Sequence, residues 1–455
     1  MEGRRIYFKT GLKIGIFSVI IVVILVMVYS CTMNKSDNWM KDAVIYEVNI
    51  RQYTKEGTFN AFSEHLSRLK EMGVNVLWFM PIHPISSTKR IGPLGSYYSI
   101  RDYKAVNHEF GTEEDFKKLV DKAHDMGFKV IMDWVANHTG WDHPWIKEHP
   151  DWYVRDAKGN IVHPETWEDV AQLDYSNKEL RKEMIKTMKY WVTKFDIDGF
   201  RCDYAGGVPV DFWEEAARKI NPTKKLFMLA EDNVKYELLD KAFQANYGWD
   251  LYHLMNDIAK GKKNAQSIIS YQKRVDTLYP KGTYPMLFTS NHDENSWNGT
   301  EFERMGEAYE TMSVLTFTLP GVPMIYSGQE AGLNKRLEFF SKDEIDWSDL
   351  KYENHYKQLI SLKKQNEALY TGKHGGDIAF FDTSKNVLAF KRQKNDNIVI
   401  VVMNLSSSPI NETINFGDNA GNYISYFTDE LVELQANHSF ALDKWEYKVF
   451  IKLKK

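Results

Sequence analysis

Short apolar segments alternate with amphipathic segments of helical length along most of the chain, and this alternation limits the possible folds more than any other feature. Segment 74–80 (VNVLWFM) is apolar throughout and follows the amphipathic segment 60–72, which Gly73 ends. Strands that are apolar on both sides are typical of a parallel sheet covered by helices on both faces. The predicted strands are 43–50, 74–80, 129–135, 197–203, 226–230, 249–254, 284–289 and 322–326. Eight strand–helix units predict an α/β protein with a (β/α)8 TIM barrel over residues 43–370.

The alternation is interrupted once, after the third predicted strand. The helices predicted around the strands are 60–72, 113–126, 178–195, 210–220, 235–245, 263–278, 303–318 and 352–366. None is predicted within about 138–177, a stretch rich in Trp, His, Pro and Asp. Because a long irregular stretch inside a domain usually carries function, we expect a small inserted subdomain here.

The last part of the chain follows a different pattern. A glycine-containing joint at 371–376 precedes short segments in which apolar and polar residues alternate. The predicted strands are 378–381, 387–392, 398–405, 413–416, 423–427 and 447–453. This pattern predicts a C-terminal antiparallel β-sandwich over residues 371–455.

Residues 1–31 have the pattern of an export signal. Basic residues between positions 4 and 13 precede an apolar run at 14–29, and Cys31 follows it. This arrangement resembles a bacterial lipoprotein signal, in which the cysteine is lipidated after cleavage, and the alternative is an uncleaved signal anchor. In either case we expect an exported, membrane-tethered protein whose polar linker spans 32–42. With Cys202 as the other cysteine, a disulfide framework is excluded, and Cys202 is expected to be buried filler.

Composition narrows the class of ligand. The formal net charge is −4 and the pI is about 6.4, so nothing favours a nucleic-acid partner. The chain has 13 Trp, 25 Tyr and 25 Phe, and a surplus of amphipathic aromatic residues suits a cleft that stacks on flat faces such as sugar rings.

Acidic residues recur where the predicted barrel strands end. The strand ends carry Asp133, Arg201 with Asp203, Glu231, His292 with Asp293, and Glu330. In barrel enzymes the active site lies at the carboxyl ends of the strands, so these groups are expected to converge. Arg201 and Asp203 project to the same side of their strand, which lets the arginine keep the acid ionised, as a carboxylate nucleophile requires. A surface ion pair at a strand end is the alternative for these two residues alone.

The chain resembles the alpha-amylase family of glycoside hydrolases over roughly residues 43–455. The resemblance lies in Asp133 with Asn137 and His138, Gly199 to Asp203, Leu229 to Glu231, Phe288 to Asp293, Gln172 to Asp174, and Gly321 to Glu330. It implies a retaining hydrolase in which Asp203 is the nucleophile, Glu231 the general acid and base, and Asp293 the residue that binds sugar hydroxyls and helps distort the ring. It also implies that Asp203 and Glu231 lie about 5 Å apart.

The resemblance assigns supporting roles as well. His138 and His292 would bind sugar hydroxyls, and Tyr98 would stack on the same sugar ring, with packing on the barrel rim as the alternative for Tyr98. Asp133 is expected to brace Arg201, and Glu330 to be structural.

The resemblance also bears on calcium. Asn137 and Asp174 match positions that bind calcium in such amylases, although two oxygen ligands are fewer than calcium takes. Many alpha-amylases have Lys-His at positions 206 and 207, where this chain has Gly206 and Gly207, so leaving-group contacts and a further calcium ligand are absent from the pattern.

Three hypotheses follow. The first is hydrolysis of α-1,4-glucosidic bonds in starch-like glucans or malto-oligosaccharides. The second is an α-1,6-glucosidase or a transglycosylase with the same acids. The third is a non-catalytic glucan-binding protein, which the presence of all three acids disfavours.

Overall fold

The computed structural model describes residues 38–453, so the export signal predicted at 1–31 and most of the linker lie outside the described residues. The chain divides into two compact units, 1–42 and 43–455. Within the first unit, Asn38–Met40 form one 3-10 turn. Across the described part of the chain, no helix has both the length and the apolar character needed to span a bilayer.

The second unit contains a closed barrel of parallel strands, which confirms the predicted barrel. Its strands are Ile45–Val48 (β1), Val76–Phe79 (β2), Lys129–Val135 (β3), Gly199–Asp203 (β4), Phe227–Ala230 (β5), Ala245–Tyr247 (β6), Tyr284–Leu287 (β7) and Val322–Tyr326 (β8). Each strand lies beside its chain neighbours, and β8 pairs with β1 to close the barrel. Every residue of β1, β2, β4, β5 and β8 is buried, as expected of strands covered on both sides.

Helices follow the strands around the barrel. They are Ile50–Tyr53, Phe59–Ser63, Leu66–Met72, Glu113–Asp125, Trp145–Glu148, Lys178–Phe195, Val210–Ile220, Leu238–Lys241, Trp249–Ala259, Ala265–Leu278, Glu301–Met305, Tyr309–Thr318 and Glu353–Gln365. Side-chain caps define several starts: Thr112 and Asp115 form a reciprocal capping box, and the Asn177 side chain accepts from the amides of Glu179 and Leu180.

The predicted sixth strand is wrong. Segment 249–254 belongs to the helix Trp249–Ala259, and the strand is the shorter Ala245–Tyr247 just before it. The buried residues Leu251, Tyr252, Met255 and Ile258 recur with helical spacing, which a six-residue window does not reveal. The helix predicted at 235–245 is shorter in the structure, Leu238–Lys241, because β6 begins at Ala245.

Residues after the third strand contain little regular structure, as predicted. The strands His138–Gly140 and Val170–Gln172 pair in antiparallel fashion, and the short helix Trp145–Glu148 lies between them. The amide of Gly140 donates to the carbonyl of Ile100, which links this stretch to the loop after β2.

The C-terminal part forms antiparallel sheets. Its strands are Asp377–Phe380 (β9), Val387–Lys394 (β10), Asn397–Asn404 (β11), Ile410–Asn415 (β12), Gly421–Ser425 (β13), Glu430–Leu434 (β14), Asn437–Leu442 (β15) and Tyr447–Lys452 (β16). One sheet has the order β9-β10-β11-β16-β13-β14, and β12 pairs with β15 in a second sheet. Side chains from both sheets share one apolar cluster. The sequence did not predict β14 and β15, because they contain few buried apolar residues: Leu434 in the first, and Phe440 and Leu442 in the second.

Strand β4 carries an acid at each end. At its amino end, Asp198 is 2% exposed and accepts hydrogen bonds from the Val130 amide, Lys129 Nζ and His124 Nε2, at 2.9, 2.9 and 2.7 Å. Lys224 Nζ lies 3.0 Å away. Burial alone would raise the pKa of Asp198, but the hydrogen bond from His124 and the charges of Lys224 and Lys129 outweigh it and hold the pKa below its usual range.

This arrangement predicts that Asp198→Asn destabilises the fold by about 1.5–3 kcal/mol at neutral pH, the usual contribution of a hydrogen bond to a charged group. A depressed pKa stabilises the folded state above the carboxyl's unfolded pKa, and this contribution is lost as the pH falls through the folded pKa. The deficit should therefore shrink at acidic pH in urea unfolding followed by tryptophan fluorescence. The control is Asp196→Asn, which removes an exposed acid that contacts the same Lys224. An equal loss from both variants would contradict the assignment.

Candidate active site

The carboxyl ends of the barrel strands surround a cavity of about 350 Å³. Asp203 is the last residue of β4, and Glu231 directly follows β5. Asp293 lies in the loop after β7, at the start of a helical turn. The cavity is lined by five predicted site residues, namely Tyr98, His138, Asp203, Glu231 and Asp293.

Arg201 lies at the centre of this acid cluster and is fully buried. Its Nη1 donates to Asp133 Oδ1 and to Asp203 Oδ1, each at 2.8 Å. Its Nη2 lies 2.8 Å from Glu231 Oε1, and its Nε donates to the Tyr247 hydroxyl at 3.1 Å. The predicted contacts from Arg201 to Asp203 and Asp133 are therefore present, and the contact with Glu231 is an additional finding.

Asp203 and Glu231 both have raised pKa values, but the two values differ. Burial raises the pKa of Glu231 to about 7, because the charges of Asp203 and Asp293 add to its effect and Arg201 offsets only part of it. Burial also raises the pKa of Asp203, to about 6, against the lowering effect of Arg201. Between these values Glu231 holds a proton while Asp203 is ionised, which suits one acid and one nucleophile.

Asp293 differs from the other two acids. Its side chain is 35% exposed at the cavity. Burial would raise its pKa, but the charges of His292 and Arg201 outweigh that effect and lower it. Asp293 therefore stays anionic at a pH at which Asp203 and Glu231 take up protons.

His292 lies behind the cavity wall, with only 1% of its surface exposed. Its Nδ1 is 2.5 Å from Glu47 Oε1, and its Nε2 is 2.7 Å from the Tyr98 hydroxyl and 3.3 Å from Asp293 Oδ2. Both nitrogens thus have protein partners, so the structure does not place His292 among the cavity-lining residues. Sequence reasoning missed Glu47, although an acid inside the apolar strand Ile45–Val48 is a visible signal.

The other predicted ligands of the sugar line the cavity. Burial lowers the pKa of His138 to about 3, so its imidazole is neutral and can donate or accept a hydrogen bond. The hydroxyl of Tyr98 donates to Asp133 Oδ2 at 3.1 Å, and its ring stacks on His292 with centroids 5.5 Å apart. One face of Tyr98 therefore contacts protein while the residue still borders the cavity.

Aromatic side chains from irregular loops complete the walls. Trp167 and Tyr204 meet edge to face beside Glu231, with centroids 5.1 Å apart, and the Tyr204 amide donates to Glu231 Oε2 at 2.8 Å. On the side of Asp293, Trp297 is 52% exposed and contacts Phe339. The sequence indicated an aromatic cleft but not these residues, because loops bring them together from distant positions.

The two residues predicted to be structural behave as expected. Glu330 is fully buried and accepts hydrogen bonds from Tyr46 and Arg68, at 2.6 and 2.9 Å, away from the cavity. Cys202 is a buried free thiol.

Comparison with known proteins agrees with this arrangement. Residues 27–368 match the sequence profile described as the alpha amylase catalytic domain, which is most of the chain. The chain belongs to the alpha-amylase family.

Several family members are similar over much of this chain. Alpha-amylase MalA of Haloarcula japonica is 28% identical over 82% of this chain, which spans only 56% of that relative's length. An α-1,4-glucan:maltose-1-phosphate maltosyltransferase of Picrophilus torridus is 30% identical over 77% of this chain and 59% of its own. The crystal structure of a noncanonic maltogenic alpha-amylase, AmyB of Thermotoga neapolitana, superposes with a TM-score of 0.83 at 31% identity, covering 91% of this chain and all of that one.

The calcium predicted from the alpha-amylase resemblance would be held by Asn137 and Asp174. Asn137 is buried, and Asp174 Oδ1 accepts a hydrogen bond from the Ser176 amide. Within residues 38–453 no three His, Cys, Asp or Glu side chains are grouped to hold a metal ion. Asn137 and Asp174 alone do not supply the six to eight oxygens that calcium takes, so no step below depends on calcium, and binding there stays a prediction.

The acid cluster predicts an unusual pH dependence for Arg201→Met. Burial raises the pKa of Asp133, Asp203 and Glu231 even with Arg201 present, so these acids cost stability as the pH rises through about 6 to 7. Without the guanidinium we expect a loss of about 3–5 kcal/mol at pH 8 and a smaller loss at pH 5, where the carboxyls bind protons.

The matched control is Arg392→Met. Arg392 is also buried, but its donors go to the carbonyls of Thr318 and Gly376, which do not titrate. Its loss of stability should be similar at pH 5 and pH 8 in urea unfolding. A pH-independent loss for Arg201→Met would contradict the electrostatic account.

Proposed function

We propose that this protein is a retaining α-glycosidase that hydrolyses α-1,4-glucosidic bonds in starch-like glucans or malto-oligosaccharides. One observation carries the proposal: Asp203 and Glu231 line one cavity and contact adjacent nitrogens of the same guanidinium. A shared guanidinium keeps the two carboxyls close, as in enzymes that retain configuration, where they are about 5 Å apart.

The first half of the reaction uses the two acids in opposite protonation states. Asp203 attacks the anomeric carbon, and the glycosidic bond breaks as Glu231 gives its proton to the leaving oxygen. Arg201 keeps Asp203 ionised and aimed through the 2.8 Å contact. The product is a glycosyl ester of Asp203 and a released glucan with a free hydroxyl.

The second half returns the enzyme to its starting state. Water enters on the side that the leaving group has vacated, and Glu231, now ionised, takes a proton from it. The resulting hydroxyl attacks the anomeric carbon and frees Asp203. Asp293 remains anionic throughout, which suits it to accept hydrogen bonds from sugar hydroxyls and to stabilise the positive charge of an oxocarbenium-like transition state.

The remaining site residues act on the substrate by binding. The neutral His138 can hydrogen-bond a sugar hydroxyl, and Tyr98 can contact the ring that is cleaved. His292 is proposed to act on the sugar through Asp293 and Tyr98, which it contacts, rather than directly. Trp167 and Trp297 both line the cavity and present flat surfaces for further glucose units.

Transfer is the second candidate function. The maltosyltransferase of Picrophilus torridus is as similar to this chain as the amylases are. Trp167 and Tyr204 also give the Glu231 side an aromatic surface on which an acceptor sugar could replace water. Cleavage of α-1,6 bonds would use the same acids, and the same product profile tests it together with transfer.

A product profile tests the proposal. The purified chain is incubated with starch, pullulan, maltoheptaose and isomaltotriose, and the products are separated by chromatography. We expect short malto-oligosaccharides from starch and maltoheptaose. Products longer than maltoheptaose would indicate transfer, and products from isomaltotriose alone an α-1,6 preference. Binding of glucan without products from any substrate would contradict catalysis.

The nucleophile assignment has its own variant. Asp203→Asn should reduce hydrolysis by about a thousandfold or more, because an amide cannot form the ester, while the folded spectrum is retained. The control is Asp169→Asn, which alters an acid of the same cavity that is not among the contacts of Arg201 and should retain most activity. Equal activity of Asp203→Asn and the wild type would sink the assignment.

The pH dependence of kcat/KM tests the roles of the two acids. Asp203 must be ionised and Glu231 protonated, so activity should rise through about pH 6 and fall through about pH 7. Replacing Asp293 by Asn removes an anion that raises the pKa of Glu231 and should move the alkaline limb of the residual activity to lower pH. A profile that is flat from pH 4.5 to 8.5 would contradict this assignment.

We also propose the arrangement in which this activity is presented. Residues 1–31 would export the protein and tether it to a membrane, with 32–42 as a linker. Residues 43–370 would form the catalytic domain with a small insert at about 138–177, and residues 371–455 a β-sandwich, which the cluster shared by the two C-terminal sheets supports.

A further inference from the structure

A line of hydrogen bonds runs from strand β1 through the back of the cavity. Glu47 contacts His292, His292 contacts the Tyr98 hydroxyl, and that hydroxyl donates to Asp133, which in turn accepts from Arg201. The line joins five separate parts of the chain. Neither Glu47 nor His292 is among the residues that line the cavity, and Glu47 is at the end of the line farthest from Arg201.

The positions of the protons on His292 follow from its partners. A tyrosine hydroxyl has one hydrogen, and Tyr98 gives it to Asp133. When the Tyr98 hydrogen goes to Asp133, the Tyr98 oxygen accepts from His292 Nε2, 2.7 Å away, and Nε2 then carries a hydrogen. Nδ1 faces the Glu47 carboxylate at 2.5 Å, which places a hydrogen there as well. With both nitrogens protonated, the ring is an imidazolium.

Among the described residues, the only hydrogen bond of the Glu47 carboxylate is the one with His292. It is fully buried between Trp78 and Tyr326, its register neighbours on β2 and β8. In the described part of the chain, its Oε2 has no hydrogen-bond partner. A buried ion pair adds little net stability, because desolvation of both charges opposes their attraction. The pair is therefore better explained by its effect on His292 than by its effect on stability.

We propose that Glu47 is a positioning residue that keeps His292 doubly protonated, so that His292 holds Asp293 and Tyr98 in their catalytic orientation. The inference rests on the proposed function, since Asp293 and Tyr98 act on the sugar there. A cationic His292 beside Asp293 keeps that acid anionic and fixes its Oδ2, 3.3 Å from Nε2. A neutral ring could still accept a hydrogen at Nε2, but it would then compete with Asp133 for the proton of the Tyr98 hydroxyl. The lone pair on Nε2 would also repel Asp293 Oδ2, which a protonated Nε2 attracts.

Several charged and titratable groups face His292. Glu47 on β1, Asp293 in its own loop, and Tyr98 in the loop after β2 contact it directly, and Asp133 on β3 acts at longer range. Burial would lower the pKa of His292, but Asp293 and Glu47 outweigh burial and raise it well above its usual range. Without the charge of Glu47, the lowering effect of burial on the pKa of His292 is opposed mainly by Asp293.

The test compares Glu47→Gln with a matched control, Glu301→Gln. Gln at 47 keeps the size and a hydrogen-bond partner for Nδ1 but removes the charge. Glu301 is also a buried glutamate at this end of the barrel, but it accepts from Thr289 and does not contact His292. The first readout is ¹⁵N NMR of histidine-labelled protein, in which the His292→Gln spectrum assigns the signal.

We expect His292 to be doubly protonated at pH 8 in the wild type and in Glu301→Gln, and to lose a proton between pH 5.5 and 8 in Glu47→Gln. This readout needs no substrate, so it is independent of the proposed function. A singly protonated wild-type ring at pH 8 would overturn the proposal even if no variant folded.

The second readout is kcat/KM on the substrate found in the product profile. Relative to the wild type, Glu47→Gln should lose little at pH 5.5 and about 10- to 100-fold at pH 7.5, the effect of one charged hydrogen bond. Glu47→Asp, which keeps the charge, should recover part of the loss at pH 7.5. An equal loss at both pH values, or no recovery by Asp, would reduce Glu47 to a structural residue and overturn the proposal. An inactive wild type would instead refute the proposed function, while the NMR result would still stand.

Discussion

The active site depends on one buried guanidinium. Arg201 contacts Asp133, Asp203 and Glu231 at 2.8 Å each, and it is excluded from water. Three carboxyls gathered in a buried site would otherwise take up protons, because each would repel its neighbours. The arginine favours the ionised form of its neighbours, which lets Asp203 be ionised while Glu231 keeps its proton, as the proposed reaction requires. The difference in pKa between Asp203 and Glu231 is then set by small differences in what surrounds each carboxyl.

The same strand shows how position in a barrel changes the role of an acid. Asp198 and Asp203 lie at opposite ends of β4, and both are buried. At the amino end, the contacts of Asp198 with His124, Lys224 and Lys129 outweigh the cost of burying its charge. These contacts stabilise the fold. At the carboxyl end, burial and the neighbouring acids raise the pKa of Asp203 despite Arg201, and the site costs stability above neutral pH. Functional sites commonly carry such a cost, and the opposite end of the barrel offsets part of it.

Behind the cavity, a second layer of residues contacts Tyr98 and Asp293. His292 is held between Glu47 on one side and Tyr98 with Asp293 on the other. Residues in this layer need not contact the sugar to affect the reaction. Loops supply the outer layer of aromatic side chains, with Trp167 and Tyr204 beside Glu231 and Trp297 beside Asp293. Loop residues of this kind are where members of one family differ in substrate and product.

The sequence by itself determined the barrel and the identity of the three acids. Strands covered on both faces are rich in apolar residues; Asp203 ends one such strand and Glu231 directly follows another, so a local pattern was enough to place both acids at strand ends. It misplaced the sixth strand, because the three residues Ala245–Tyr247 are too few to show a period beside the helix that follows. Only the tertiary structure decided the partners of those acids. Glu47 and His292 are 245 residues apart, and Arg201 meets Glu231 across two neighbouring strands. Contacts of this kind depend on barrel closure and on which loops fold over its mouth, which no local pattern encodes.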